Sequence, residues 1–156
     1  MRIVYKVLAY TVAVEVAIQA SFMVLAIAGL GSYIDKGGTF DKAAMENDQG
    51  LFPEAVGFML HGINGSIVIP VLALALLIVS FFARIPRGVR WAVGVFLLVV
   101  LQANLGFAGH SLPFIGALHG LNALLLFTVA FLAARRAGAP AKAAATEESG
   151  RVSTTV

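Results

Sequence analysis

No Asp, Glu, Lys or Arg occurs between Glu54 and Arg84, or again between Arg90 and Arg135. Each gap exceeds the roughly 18–20 apolar residues that need a bilayer rather than a soluble core. Charged residues make up 12% of the chain and hydrophobic ones 60%, against about 25% charged in a soluble domain. The chain is therefore expected to be an integral membrane protein, with lipid as its first partner. With no cysteine, disulfides, thiolate metal sites and cysteine nucleophiles are excluded. The formal charge of +3 does not indicate a nucleic-acid partner, because the basic residues cluster at the ends of apolar segments.

Four spans follow, at about 4–29, 54–83, 91–109 and 113–134, within a transmembrane domain of residues 1–136. The first is preceded by Arg2 and Lys6 but is too long for a signal-peptide h-region of about 7–15 residues, and it carries Glu15. It reads as a retained helix. Pro53 and Glu54 suit the opening turn of the second, where a missing N–H costs nothing and a carboxylate meets the positive dipole end. Pro70 is expected to kink that helix. A basic turn at 84–90 leads to the third helix, and the segment Gly109–Pro113 opens the fourth. Residues 137–156 lack bulky apolar side chains and are expected to form a disordered cytoplasmic tail.

Arg2, Lys6, Arg84, Arg87, Arg90, Arg135 and Arg136 fall on one side of this arrangement, and only Lys36 and Lys42 on the other. The positive-inside rule then places both termini in the cytoplasm and the 31–52 loop outside the plasma membrane. The fold expected is an all-α, up-down four-helix bundle.

The three histidines are His61, His110 and His119. Helix two reads Leu60-His61-Gly62-Ile63-Asn64-Gly65 and helix four reads Leu118-His119-Gly120-Leu121-Asn122-Ala123. Gln19-Ala20 in helix one and Gln102-Ala103 in helix three echo each other more faintly. Two similar hairpins related by a pseudo-twofold axis along the membrane normal are expected. Diagonal helices of such a bundle lie roughly 11–14 Å apart, so inward histidines could share one metal. Small residues at Gly62, Gly65, Gly120 and Ala123 would clear space for a flat porphyrin. Asn64, Asn122, Gln19 or Gln102 could accept a hydrogen bond from each second ring nitrogen. Structural hydrogen bonding between helices is the alternative reading of the same residues. One figure sits badly: at about 1.5 Å per residue, His61 lies about 35 Å from Arg84, but His119 only about 24 Å from Arg135. His110, at the hairpin tip, is a turn residue or a contact for a bound group's propionates. Glu15 is a buried acid or a proton carrier.

At these residues the chain resembles one four-helix half of the heme A synthases. The resemblance covers about residues 15–135 and rests on Gln102-Ala103-Asn104-Leu105-Gly106, Pro113 and His119, with Ala28-Gly29-Leu30-Gly31 and His61 in the first hairpin. It implies a histidine pair holding heme at the outer side. It also has departures: one half only, Gly62 where the family often has Arg after His, no loop cysteines, and no clear counterpart of the catalytic loop carboxylate, with Glu46 and Glu54 nearby. The chain is similar, too, to small four-helix membrane proteins of actinobacterial type.

The expectation is a membrane protein binding one heme b through His61 and His119, for electron transfer or heme handling rather than as a complete enzyme. A homodimer or a larger respiratory complex would be its setting. The competing expectations are a non-heme accessory subunit in which the histidines pack helices, and a proton-coupled carrier using Glu15.

Overall fold

The computed structural model describes residues 1–43 and 51–138. Those residues form four helices and no strand: α1 (Arg2–Asp35), α2 (Pro53–Ser80), α3 (Gly88–Gly109) and α4 (Pro113–Gly138). All four are long and apolar enough to span a bilayer. They close into a square in which α1 and α3 each pack on α2 and α4, leaving α2 and α4 on a diagonal. This is the expected all-α bundle. Its outer surface is greasy: Ile3, Val24, Ile67, Val71, Leu97, Phe107 and Leu124 are all more than half exposed. An apolar exterior of this extent belongs against lipid.

The bundle is solid at the end that holds the N-terminus, the 81–87 turn and Gly138. Tyr5, Ala9, Val12, Ala13 and Val16 of α1 meet Ile69, Ala73, Leu76, Val95, Val99, Leu126, Ala130 and Ala133 there. Alanine at so many contacts lets the backbones approach closely, the usual means of packing helices in lipid. The Tyr5 hydroxyl donates to the Gly88 carbonyl at 3.0 Å, which pins α1 to the start of α3. Arg136 lies over the Trp91 ring at 4.6 Å and fastens α4 to the same corner.

Several helix ends differ from the sequence expectation. The first helix does not stop near residue 29 but runs to Asp35. It stops where Gly37 adopts φ +90°, with Gly37 N–H donating to Ile34 O and Gly38 N–H to Tyr33 O. That pair of bonds is a Schellman cap, which glycine allows. Helix two ends at Ser80 rather than 83, helix three starts at Gly88 rather than 91, and helix four continues past 134 to Gly138. Charges at 84 and 135 were therefore imperfect markers of the ends. Helix four is still helical at Gly138, the last described residue, so Arg135 does not mark its inner end and the distances counted to Arg84 and Arg135 do not measure histidine depth. Residues 139–156, and Glu46 and Asp48 of the connection, lie outside the described residues.

Helix two also departs from regularity before Pro70. Residues Asn64–Val68 form a π-helical turn, with Ile69 N–H bonded to Asn64 O. Pro70 cannot donate and its ring crowds the preceding turn, so a wide turn just upstream relieves both problems. The consequence is a change of phase. Buried positions run Asn64, Ile69, Ala73, Leu76, Ser80, with a gap of five at the π turn where a regular helix gives three or four.

Candidate functional site

Toward the opposite end, beyond Val16, Ile69, Val99 and Leu126, the bundle becomes hollow. A cavity of about 640 Å³ opens there, lined by residues from all four helices. Its size lies within the roughly 300–1,000 Å³ of ordinary ligand sites. His61 and His119 both line it, and their ring centroids are 6.2 Å apart with planes inclined at 52°. The histidines thus meet across the α2–α4 diagonal rather than facing lipid.

The hairpins hold their histidines alike. His61 Nδ1–H donates to the Gln19 carbonyl and His119 Nδ1–H to the Gln102 carbonyl, each at 3.0 Å. A carbonyl can only accept, so Nδ1 carries the proton in both rings, and the Gln102 amide facing His119 Nε2 at 3.1 Å requires a lone pair on that nitrogen. One turn on, Asn64 donates to the Glu15 carbonyl at 3.4 Å and Asn122 to the Leu98 carbonyl at 3.0 Å. Glu15 and Leu98 each lie four residues before the glutamine of their helix. The pseudo-twofold relation between hairpins therefore extends to individual hydrogen bonds.

Of the four residues expected to accept from the second ring nitrogens, Gln19 and Gln102 do so, through their main-chain carbonyls, and Asn64 and Asn122 do not. Three residues past its histidine, each asparagine reaches the neighbouring helix a turn deeper, beyond the ring. The two glutamine amides act on the histidine backbone instead. Gln19 Nε2–H donates to His61 O at 2.7 Å and Gln102 Nε2–H to His119 O at 3.1 Å.

The small residues divide by role. A Cβ at Gly62, Gly116 or Gly120 would meet nothing within 4 Å, so these glycines border open space. Gly65 lines the cavity as well, but a Cβ there would meet the end of the Gln19 side chain. Ala123 lines the cavity, and exposed His110, capping α3, sits among its lining residues as well. Gly106 carries a role that the sequence reading had not assigned. A Cβ at Gly106 would lie 3.1 Å from His119 Cε1 and 3.2 Å from Nδ1, a tight contact that glycine avoids where the ring reaches the Gln102 carbonyl. Its position, one turn after Gln102 on the same face, was the available signal. Glu15 is not among the cavity-lining residues, which removes the geometric support for a proton carrier working with the histidines.

Residues 49–109 match a family of unknown function, DUF6220. The matched stretch takes in α2, the basic turn and α3, and so includes His61 and Gln102 but neither Gln19 nor His119. No curated protein and no solved structure matches the chain.

Among the described residues no group of three or more His, Cys, Asp or Glu side chains gathers to hold a metal ion. What the site offers is two imidazoles, a mostly apolar surround and a large space beside them.

Proposed function

We propose that this chain is a small membrane heme protein, holding one b-type heme between His61 and His119 for electron transfer or heme handling. The observation that carries the reading is the imidazole pair: both rings held through Nδ1–H by a main-chain carbonyl, with centroids 6.2 Å apart, over a 640 Å³ cavity. Two imidazoles about 2 Å from a shared metal, on opposite sides of it, would have centroids about 6 Å apart. A bare zinc or copper ion needs further ligands from the protein, whereas a porphyrin brings four nitrogens of its own and asks for axial ligands only. Gly62, Gly116 and Gly120 border open space in which a macrocycle would fit.

The residues divide the work accordingly. His61 and His119 would supply the axial nitrogens. The Gln19 and Gln102 carbonyls orient the rings, as second-layer acceptors do for histidine ligands. The apolar helix walls exclude water and thereby favour the less charged state of a bound redox group. A bound heme supplies one-electron chemistry. In the plasma-membrane orientation set by the basic residues, the cavity lies toward the outer face, as in the half heme A synthase that the chain resembles.

A second reading has an observation of its own. Both ring nitrogens of His119 already have partners, because the Gln102 amide also reaches His119 Nε2 at 3.1 Å. A histidine satisfied in this way could simply knit helices in an accessory subunit. The reduced-minus-oxidised absorbance spectrum of detergent-purified protein, expressed with heme supplied, separates the two. Sharp α and Soret bands at one heme per chain, reduced in both His61→Ala and His119→Ala, are expected of a heme protein. A folded, colourless protein that takes up no heme would overturn the heme reading and favour the accessory one.

A further inference from the structure

The two histidines, matched in tautomer, differ at the nitrogen that matters for ligation. His119 Nε2 accepts a hydrogen bond from the Gln102 amide at 3.1 Å, whereas His61 Nε2 has no hydrogen-bond partner among the described residues. The difference originates in the glutamines. Gln102 Oε1 accepts from Asn122 Nδ2 at 2.6 Å, which turns the amide so that its N–H groups face both His119 O and His119 Nε2. Gln19 has no such guide: Asn64 reaches only the Glu15 carbonyl, and Gln19 Oε1 is buried with no partner. An otherwise symmetric site is therefore built with one open imidazole and one held by an amide latch.

We infer that His61 is the anchoring ligand of the site and His119 the exchangeable one, with Gln102 and Asn122 forming the latch that captures His119 when it is released. This rests on the heme reading. A histidine released into an apolar cavity would ordinarily be penalised for an unsatisfied nitrogen. Here the Gln102 amide satisfies it at once. His119 is thus the position at which a small neutral diatomic ligand would enter, and carbon monoxide is the probe for it. Gln102 and Asn122 act through His119 and are positioning residues.

The test is a carbon monoxide titration of the dithionite-reduced, heme-loaded full chain, followed at the Soret band. Gln102→Leu removes the latch, so His119 should compete better and carbon monoxide should bind about tenfold more weakly than in the unaltered chain. Asn122→Ala, which only disorients the amide, should shift affinity the same way by a smaller factor. In a parallel hemin titration, His119→Ala should keep heme through His61 and bind carbon monoxide more tightly than the unaltered chain. His61→Ala should bind hemin at least tenfold more weakly than His119→Ala. Equal hemin affinities in the two histidine variants, or a change in Gln19→Leu as large as in Gln102→Leu, would overturn the asymmetry while leaving the heme reading intact. Failure of the unaltered chain to take up hemin would instead overturn the heme reading, and this inference with it.

Discussion

Glycine does two opposite jobs in this molecule, and single substitutions separate them. Gly57 lets α2 cross α1, since a Cβ there would strike the Phe22 carbonyl and approach Ala26 at 3.0 Å. Gly57→Leu should destabilise the bundle by about 1–3 kcal/mol, read as a lowered thermal midpoint with or without heme. Gly62 faces open space, so Gly62→Leu should leave the unliganded protein as stable as before, or stabilise it by about 0.5–1 kcal/mol through loss of a mid-helix glycine. The same substitution should weaken hemin uptake at least tenfold by filling the cavity. If Gly62→Leu binds hemin normally, the space beside His61 is not where the macrocycle sits. Gly106 combines the two roles: Gly106→Val should push His119 off the Gln102 carbonyl and weaken hemin binding without unfolding α3.

The decisive irregularity at the scale of elements is the π turn of α2. It places one extra residue between the histidine-bearing half and the core-packing half, so that His61 and Asn64 face inward together with Ile69 and Ala73. Deleting Ile67, an exposed member of that turn, together with Pro70→Ala should convert the segment to regular α-helix without re-phasing either half. Circular dichroism and hemin affinity should both be retained. Inserting one alanine after Ile67 should rotate His61 by about 100° and abolish hemin binding. Tolerance of the insertion would show that the phase of α2 does not set the site. Pro70 announced a disturbance in the sequence, but the form it takes was not legible. A proline signals that a hydrogen bond is lost, not whether the chain bends or widens to accommodate the loss.

For the molecule as a whole, most of the architecture was written in the charge-free runs and the repeated His-Gly-x-Asn segments. Those are solvent-scale and packing-scale signals that a bilayer makes strict. The helix ends were less legible, because Arg135 and Arg136 can lie along a continuing helix and Arg84 can follow one that has already stopped. The hydrogen-bond partners of the imidazoles were legible as residues, since Gln19 and Gln102 stood among the candidates, but not as atoms. Both Nδ1–H groups bond main-chain carbonyls, which every residue has, so composition cannot point to them. Orientation in the membrane has a direct test, since the chain contains no cysteine. A single cysteine at Lys36 should react with an impermeant maleimide added to intact cells, and one at Arg87 should react only after lysis. The reverse pattern would contradict the orientation drawn from the basic residues.

The central claim is that two imidazoles from diagonal helices share one heme. Electron paramagnetic resonance of the oxidised, hemin-loaded chain addresses it most directly. The account predicts a low-spin ferric signal, converted to high spin in His119→Ala. A high-spin signal in the unaltered chain, or a low-spin signal that survives His119→Ala, would contradict it.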